Sequence, residues 1–164
     1  MVLESSASSS DGGAAYPPLS LGRAHGAFLS SHSFSLSSRP PTRYASCSRD
    51  AYLLTRYRTC HDYYHVLYGV EPTVLGEVIL KRVEHDEFGL PAQYLQAVVK
   101  GAGLRGRERE ELEEAEEWIG MVREGRRGKE HLMTVFWEEI LDRPLQEVRE
   151  ELGVVGYEEW KRGG

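Results

Sequence analysis

The sequence predicts an all-α fold, a helical bundle, and two features carry that expectation. Apolar residues recur at steps of three and four along most of the chain, the spacing that gathers them on one helix face. Helix-starting and helix-stopping residues stand at the ends of those stretches, and no alternating strand pattern, hairpin turn or internal repeat breaks the series.

Residues 1–18, MVLESSASSSDGGAAYPP, are Ser- and Gly-rich and read as a disordered extension. They contain Glu4 and Asp11 with no Arg before Arg23. They show neither the apolar core of a secretory signal nor the Arg-rich, acid-poor character of a transit peptide. Residues 19–164 are expected to form a single α-helical domain. Within it, 19–49 read as loop, because SSHSFSLSSRPPTRY is rich in Ser and Pro40-Pro41 blocks a helix. The pattern changes at Asp50. Leu53, Tyr57, Cys60, Tyr64 and Leu67 follow at steps of four, three, four and three, a helix with Ser48 or Asp50 as N-cap that ends near Gly69.

A second helix follows the turn at Glu71-Pro72, with Thr73 as cap, Val74, Leu75, Val78, Ile79 and Val83 at helical spacing, and Gly89 beyond its end. Pro91 opens another, in GLPAQYLQAVV. The segment from Gly101 to Gly106 spells GxGxxG, but helical patterns flank it where a dinucleotide fingerprint needs a preceding strand, so it reads as a glycine connector. A charged helix carrying Leu112, Ala115, Ile119 and Val122 comes next. Leu132, Val135, Phe136, Ile140 and Leu141 predict a further helix. Leu145, Val148 and Leu152 predict the last one, after Pro144 and before Gly153.

Composition narrows the function. At 164 residues, with 40% hydrophobic residues, the chain can fill one core of modest size. A net charge of −6 argues against a nucleic-acid partner, whose electrostatic footprint is basic. Two cysteines, Cys47 and Cys60, imply no disulfide framework. The apolar runs are too short to span a bilayer, so membrane contact would be peripheral.

Residues 61–77, HDYYHVLYGVEPTVLGE, concentrate four groups able to bind a metal: His61, Asp62, His65 and Glu77. With each helical residue turning about 100°, His65 lies about 40° and Asp62 about 100° from His61, on one arc. Imidazole and carboxylate together suit zinc, iron or manganese. The break at Gly69 and Pro72 lets the chain reverse, so an antiparallel second helix can bring Glu77 against that arc and place a metal site between the two helices. Spacing alone leaves another reading open, with Asp62 paired to Arg58 and Glu77 to Lys81 as ordinary helix-face ion pairs. Cys60 falls on the apolar seam and reads as core. His25, His32, His85 and His131 are isolated. Arg126, Arg127 and Lys129 read as solvated loop charges.

The pattern H-D-x-x-H, eleven residues, then Glu resembles the signature of the ubiquinone (coenzyme Q) biosynthesis C1-decarboxylase family. Flanking segments are similar too: RPPTRY at 39–44, RYRTCHD at 56–62, LGEVILKRVE at 75–84, GLP at 89–91, W-I at 118–119, GRRGK at 125–129 and FWEEILDRPLQEVREELGV at 136–154. The resemblance runs from about Leu19 to Val154. Family members usually carry a longer N-terminal part with further helices and an organellar targeting segment, so the chain is expected to be a shortened member. The run REREELEEAEE at 107–117 is more acidic than the family pattern.

The resemblance implies decarboxylation at C1 of a 4-hydroxy-3-methoxy-5-polyprenylbenzoate, a carbon–carbon lyase reaction. Its implied metal is zinc or another divalent ion held by His61, Asp62, His65 and Glu77, a ligand number that crowds zinc's usual tetrahedral shell. It implies peripheral association with the matrix side of the mitochondrial inner membrane and a complex with other ubiquinone-biosynthesis enzymes. It also admits a non-catalytic role, a prenyl-lipid-binding scaffold that organises those enzymes. A metal-dependent phosphohydrolase ranks last, because only the HD pair suggests it. The residues name no general acid; Tyr63, Tyr64 and Lys81 are near in sequence, each with a packing or pairing role open to it.

Overall fold

The structure, a computed structural model, describes residues 16–34 and 45–163. Those residues form seven helices and no strand: α1 (Leu21–Ser31), α2 (Ser48–Tyr68), α3 (Val74–Phe88), α4 (Pro91–Gly101), α5 (Arg107–Gly125), α6 (Leu145–Leu152) and α7 (Tyr157–Gly163). The all-α expectation holds.

Local chemistry sets most of the helix ends. α2 stops at Gly69 in the left-handed conformation (φ 62°), where the Gly69 and Val70 N–H groups reach back to the carbonyls of Val66 and His65. Thr73 caps α3 by accepting from the Gly76 N–H at 3.0 Å, and Gly89 ends that helix with φ 63°. α2 begins at Ser48, so the cap position falls on Cys47, whose side chain makes no capping bond; neither Ser48 nor Asp50 caps it. The GxGxxG segment is the link between α4 and α5.

Two expectations are corrected. Residues 19–49 are not all loop, because Leu21–Ser31 form α1, capped by the Ser20 hydroxyl on the Arg23 N–H. Its inner face is Leu21, His25 and Phe28, spaced four and three apart, with histidine standing in for an aliphatic residue. The Pro40-Pro41 break and residues 1–15 lie outside the described residues. Residues 132–141 form no α-helix, only a single 3-10 turn at Trp137–Glu139. Distant side chains take up their backbone groups instead: Glu87 accepts the Leu132 N–H at 3.0 Å, and Arg56 donates to the Val135 carbonyl at 2.5 Å. Leu132, Val135 and Trp137 are buried while Phe136 is exposed, so helical spacing here reflects a chain folded over the core.

The core gathers Tyr64, Leu67, Ile79, Leu80, Trp118 and Trp137 from four parts of the chain. Two arginines tie its edges. Arg149 on α6 donates to the carbonyls of Leu67 and Val66 at the end of α2, where a cation also complements the helix dipole. Arg126 forms a two-pronged pair with Glu87 of α3 and donates to the Leu152 carbonyl.

The chain crosses itself tightly where α5 ends beside the end of α6. A Cβ on Gly153, itself at φ 70°, would lie 2.1 Å from the Gly125 carbonyl oxygen. Gly153→Ala is therefore expected to cost about 2 kcal/mol or more. Gly120, inside α5 with open space at its Cβ, is the opposite case, and Gly120→Ala should stabilise by roughly 0.5–1 kcal/mol. Thermal or denaturant melts of the two variants check the pair, and equal effects would contradict the crossing.

Candidate metal centre

The turn between α2 and α3 reverses the chain. Side-chain pairs then run 65 with 77, 61 with 77 and 84, and 57 with 84, falling along α2 as they rise along α3. That is an antiparallel register. Gly76 allows the reversal to be tight, since a Cβ there would lie 1.9 Å from the Glu71 carbonyl oxygen. Glu77 is the next residue and is turned onto α2.

His61, His65 and Glu77 converge, with one ligand atom from each within 4.8 Å of the others. Glu77 Oε1 lies 3.0 Å from His65 Nε2 and 3.5 Å from His61 Nε2. The other nitrogen of His65 stands 2.8 Å from the Val70 carbonyl oxygen, an acceptor, so Nδ1 carries the proton and Nε2 faces Glu77. Phe28 of α1 stacks on the His65 ring at 5.3 Å and covers it. Asp62 is buried on the same turn of α2 but is not one of the three converging groups.

A second layer lies behind His61. Its Nδ1 is 2.7 Å from Glu84 Oε1; Glu84 Oε2 accepts from Tyr57 Oη at 2.5 Å and from Lys81 Nζ at 2.7 Å. Lys81 also donates to Tyr57 Oη at 2.9 Å. Lys81 thus pairs with Glu84, and Lys100 of α4 lies 3.5 Å from Glu77, in place of the alternative Glu77–Lys81 helix-face pair.

These contacts set the protonation. Hydrogen bonds with His61 and then His65 hold the Glu77 carboxyl well below the usual carboxylate range. Burial alone would lower His61, but its hydrogen bonds with Glu77 and Glu84 outweigh burial and raise it. Burial alone would raise Glu84, and His61 and Lys81 together bring it down. Burial, then the charge of Glu84, pushes the Tyr57 phenol up.

The other candidates separate clearly. Cys60 is buried in the core. Tyr63 lies between His25 and Trp137, stacked on both rings, and Tyr64 reaches the sulfur of Met133; both pack. Tyr57 and Glu84 were missed from sequence, although Tyr57 stands four residues before His61 and Glu84 seven after Glu77, the spacings that share a helix face. An open cavity of about 260 Å³, lined by Tyr57, Arg58, His61 and Lys81, adjoins the cluster.

If the three groups bind a metal, His65→Ala and Glu77→Ala should each reduce bound divalent metal from about one per chain to a small fraction. Elemental analysis of purified protein checks this, and unchanged metal in both variants would contradict the site.

Residues 3–158 match the family described as coenzyme Q (ubiquinone) biosynthesis protein Coq4. Among curated relatives, the mitochondrial ubiquinone biosynthesis protein COQ4 of Arthroderma otae is 39% identical over 139 residues, 84% of this chain and 51% of that one. The Podospora anserina protein of the same name is 38% identical over 142 residues, 84% of this chain and 45% of that one. The mitochondrial COQ4 homologue of Drosophila ananassae is 38% identical over 139 residues, 84% and 51% of the two chains. The chain therefore spans about half the length of the curated relatives it matches. A crystal structure from Nostoc punctiforme PCC 73102, described as a candidate ubiquinone biosynthesis protein, superposes with a TM-score of 0.70 over 90% of this chain and 69% of that one. At 21% identity it attests the fold.

Proposed function

The chain belongs to the coenzyme Q (ubiquinone) biosynthesis Coq4 family, and from that premise we propose that it is a metal-dependent lyase that removes the C1 carboxylate of a 4-hydroxy-3-methoxy-5-polyprenylbenzoate. The observation that carries the reading is the convergence of His61, His65 and Glu77. Ligand atoms on one tetrahedral ion stand roughly 3.4 Å apart at ordinary bond lengths, so the widest pair draws in by little more than an ångström. Two imidazoles and a carboxylate suit zinc and other divalent metals. Asp62 is the proposed fourth ligand, one residue along α2 from His61.

His61, His65 and Glu77 would hold the metal, which would supply a Lewis acid to the reaction. The rest falls to the chain's own side chains. Arg58 and Lys81 put positive charge on the wall of the cavity beside His61, which suits an aryl carboxylate, and Tyr57 offers an aromatic face there. In the reaction the bond from C1 to the carboxyl carbon breaks, carbon dioxide leaves, and a proton takes its place on the ring. The para-hydroxyl group pushes electrons toward that carbon.

A polyprenyl tail needs an apolar host, and two features of α4 support one. Leu95 and Val99 are exposed on its outer side. Its inner side meets α3 and α5 around a cavity of about 410 Å³ with Val78, Ala97, Val98 and Leu112 on its apolar wall and Arg82, Arg109, Glu113 and Glu116 also in its lining. Among the described residues no helix is long and apolar enough to cross a membrane. We place the protein peripherally on the matrix side of the mitochondrial inner membrane, with other ubiquinone-biosynthesis enzymes as partners; the relatives' mitochondrial names support the compartment. The same α4 features favour the second reading, a prenyl-lipid-binding scaffold without turnover.

Metal-loaded protein supplied with the polyprenylated acid separates the two. Carbon dioxide released in proportion to the polyprenylated acid consumed supports the lyase, and stoichiometric binding without release supports the scaffold. Vesicle sedimentation checks the α4 face: wild type should pellet with cardiolipin-containing vesicles, and Leu95→Glu combined with Val99→Glu should cut the bound fraction several-fold. A wild-type chain that stays in the supernatant would contradict the membrane role.

A further inference from the structure

We propose that Glu84 is the positioning residue that fixes His61 for metal binding, holding Nδ1 so that Nε2 points at the ion. The inference rests on the metal reading above. Glu77 and Glu84 stand seven residues apart on α3, two helical turns, and so share a face. One helix therefore brackets the His61 ring, with Glu77 3.5 Å from Nε2 and Glu84 2.7 Å from Nδ1.

The tautomer follows from what each partner can do. A carboxylate accepts, so the short contact has Nδ1–H donating to Glu84 and commits that nitrogen, which leaves Nε2, on the side of Glu77 and His65, as the atom free to exchange its proton for a metal. Lys81 approaches Nδ1 at 3.4 Å, but its closer bonds are to Glu84 at 2.7 Å and Tyr57 at 2.9 Å, so it braces Glu84 more than it competes for His61. Glu84 is 1% exposed and both its oxygens are engaged, which leaves it little freedom to turn. His65 is oriented by a backbone carbonyl, that of Val70, whereas His61 depends on a side chain. Outer acceptors of this kind fix ring orientation and make a ligating imidazole more basic.

The test compares zinc affinity, by competition with a chelating dye, in wild type, Glu84→Ala and Glu84→Gln. Alanine removes the acceptor for Nδ1–H, and affinity should fall roughly tenfold to a hundredfold. Glutamine also breaks the pairing with Lys81 but keeps a carbonyl oxygen for Nδ1–H, and should restore most of that loss. If Glu84 served only to pair Lys81, both variants would lose affinity alike, and that result, or no loss in either, overturns the proposal. Long-range proton–nitrogen NMR of zinc-loaded wild type gives an answer without any variant. A protonated Nδ1 and metal-bound Nε2 on His61 support the proposal; metal on Nδ1 overturns it. Wild type that takes up no zinc removes the metal reading itself, whereas zinc uptake with an unaffected Glu84→Ala removes this inference alone.

Discussion

Ionic groups held between α2 and α3 are the constraint around which the rest of the structure is arranged. Glu84 is 1% exposed and Lys81 is 6% exposed, and each such group loses several kcal/mol of hydration on burial. The loss is tolerable only because every partner is supplied: Lys81, Tyr57 and His61 around Glu84, and His61, His65 and Lys100 around Glu77. Apolar residues of the same size would hold two helices together at least as well. A layout that accepts this cost for the sake of converging imidazoles and carboxylates is better explained by chemistry than by stability.

The surrounding fold keeps that interface in place. Arg149 fastens the end of α2 from α6, and Arg126 fastens Glu87 at the end of α3 to the chain beyond α5. α1 lays Phe28 over His65, and α4 brings Lys100 to Glu77, so these two helices reach the site with one residue each. α4 also carries exposed apolar residues on its other side. The same short helix therefore joins the candidate centre to an exposed apolar surface.

The sequence made α2, α3 and their reversal legible because punctuating residues mark the end of α2 and both ends of α3: Gly69, Thr73 and Gly89 each adopt the geometry their chemistry favours. The cluster was legible for the same reason, since His61, His65 and Glu77 need only that turn to meet. α1 was hidden by composition. Its inner face depends on His25, a polar residue that stacks on Tyr63, in a segment where Ser and Gly argue for loop. Residues 132–141 misled in the opposite sense, as their apolar spacing is helical but their backbone is bound by Glu87 and Arg56 from elsewhere. No local pattern carries that information. Nothing in the spacing sets Glu84 apart from the other charged residues of α3, and only its burial distinguishes it.

The claim that α2 and α3 share one metal ion is tested most directly by X-ray absorption at the metal edge of zinc-loaded protein. The account predicts a first shell of nitrogen and oxygen only, near 2.0–2.2 Å, with the outer scattering of two imidazoles from His61 and His65. A sulfur neighbour at about 2.3 Å, which would bring in Cys60 or Cys47, or a shell without imidazole, would contradict it.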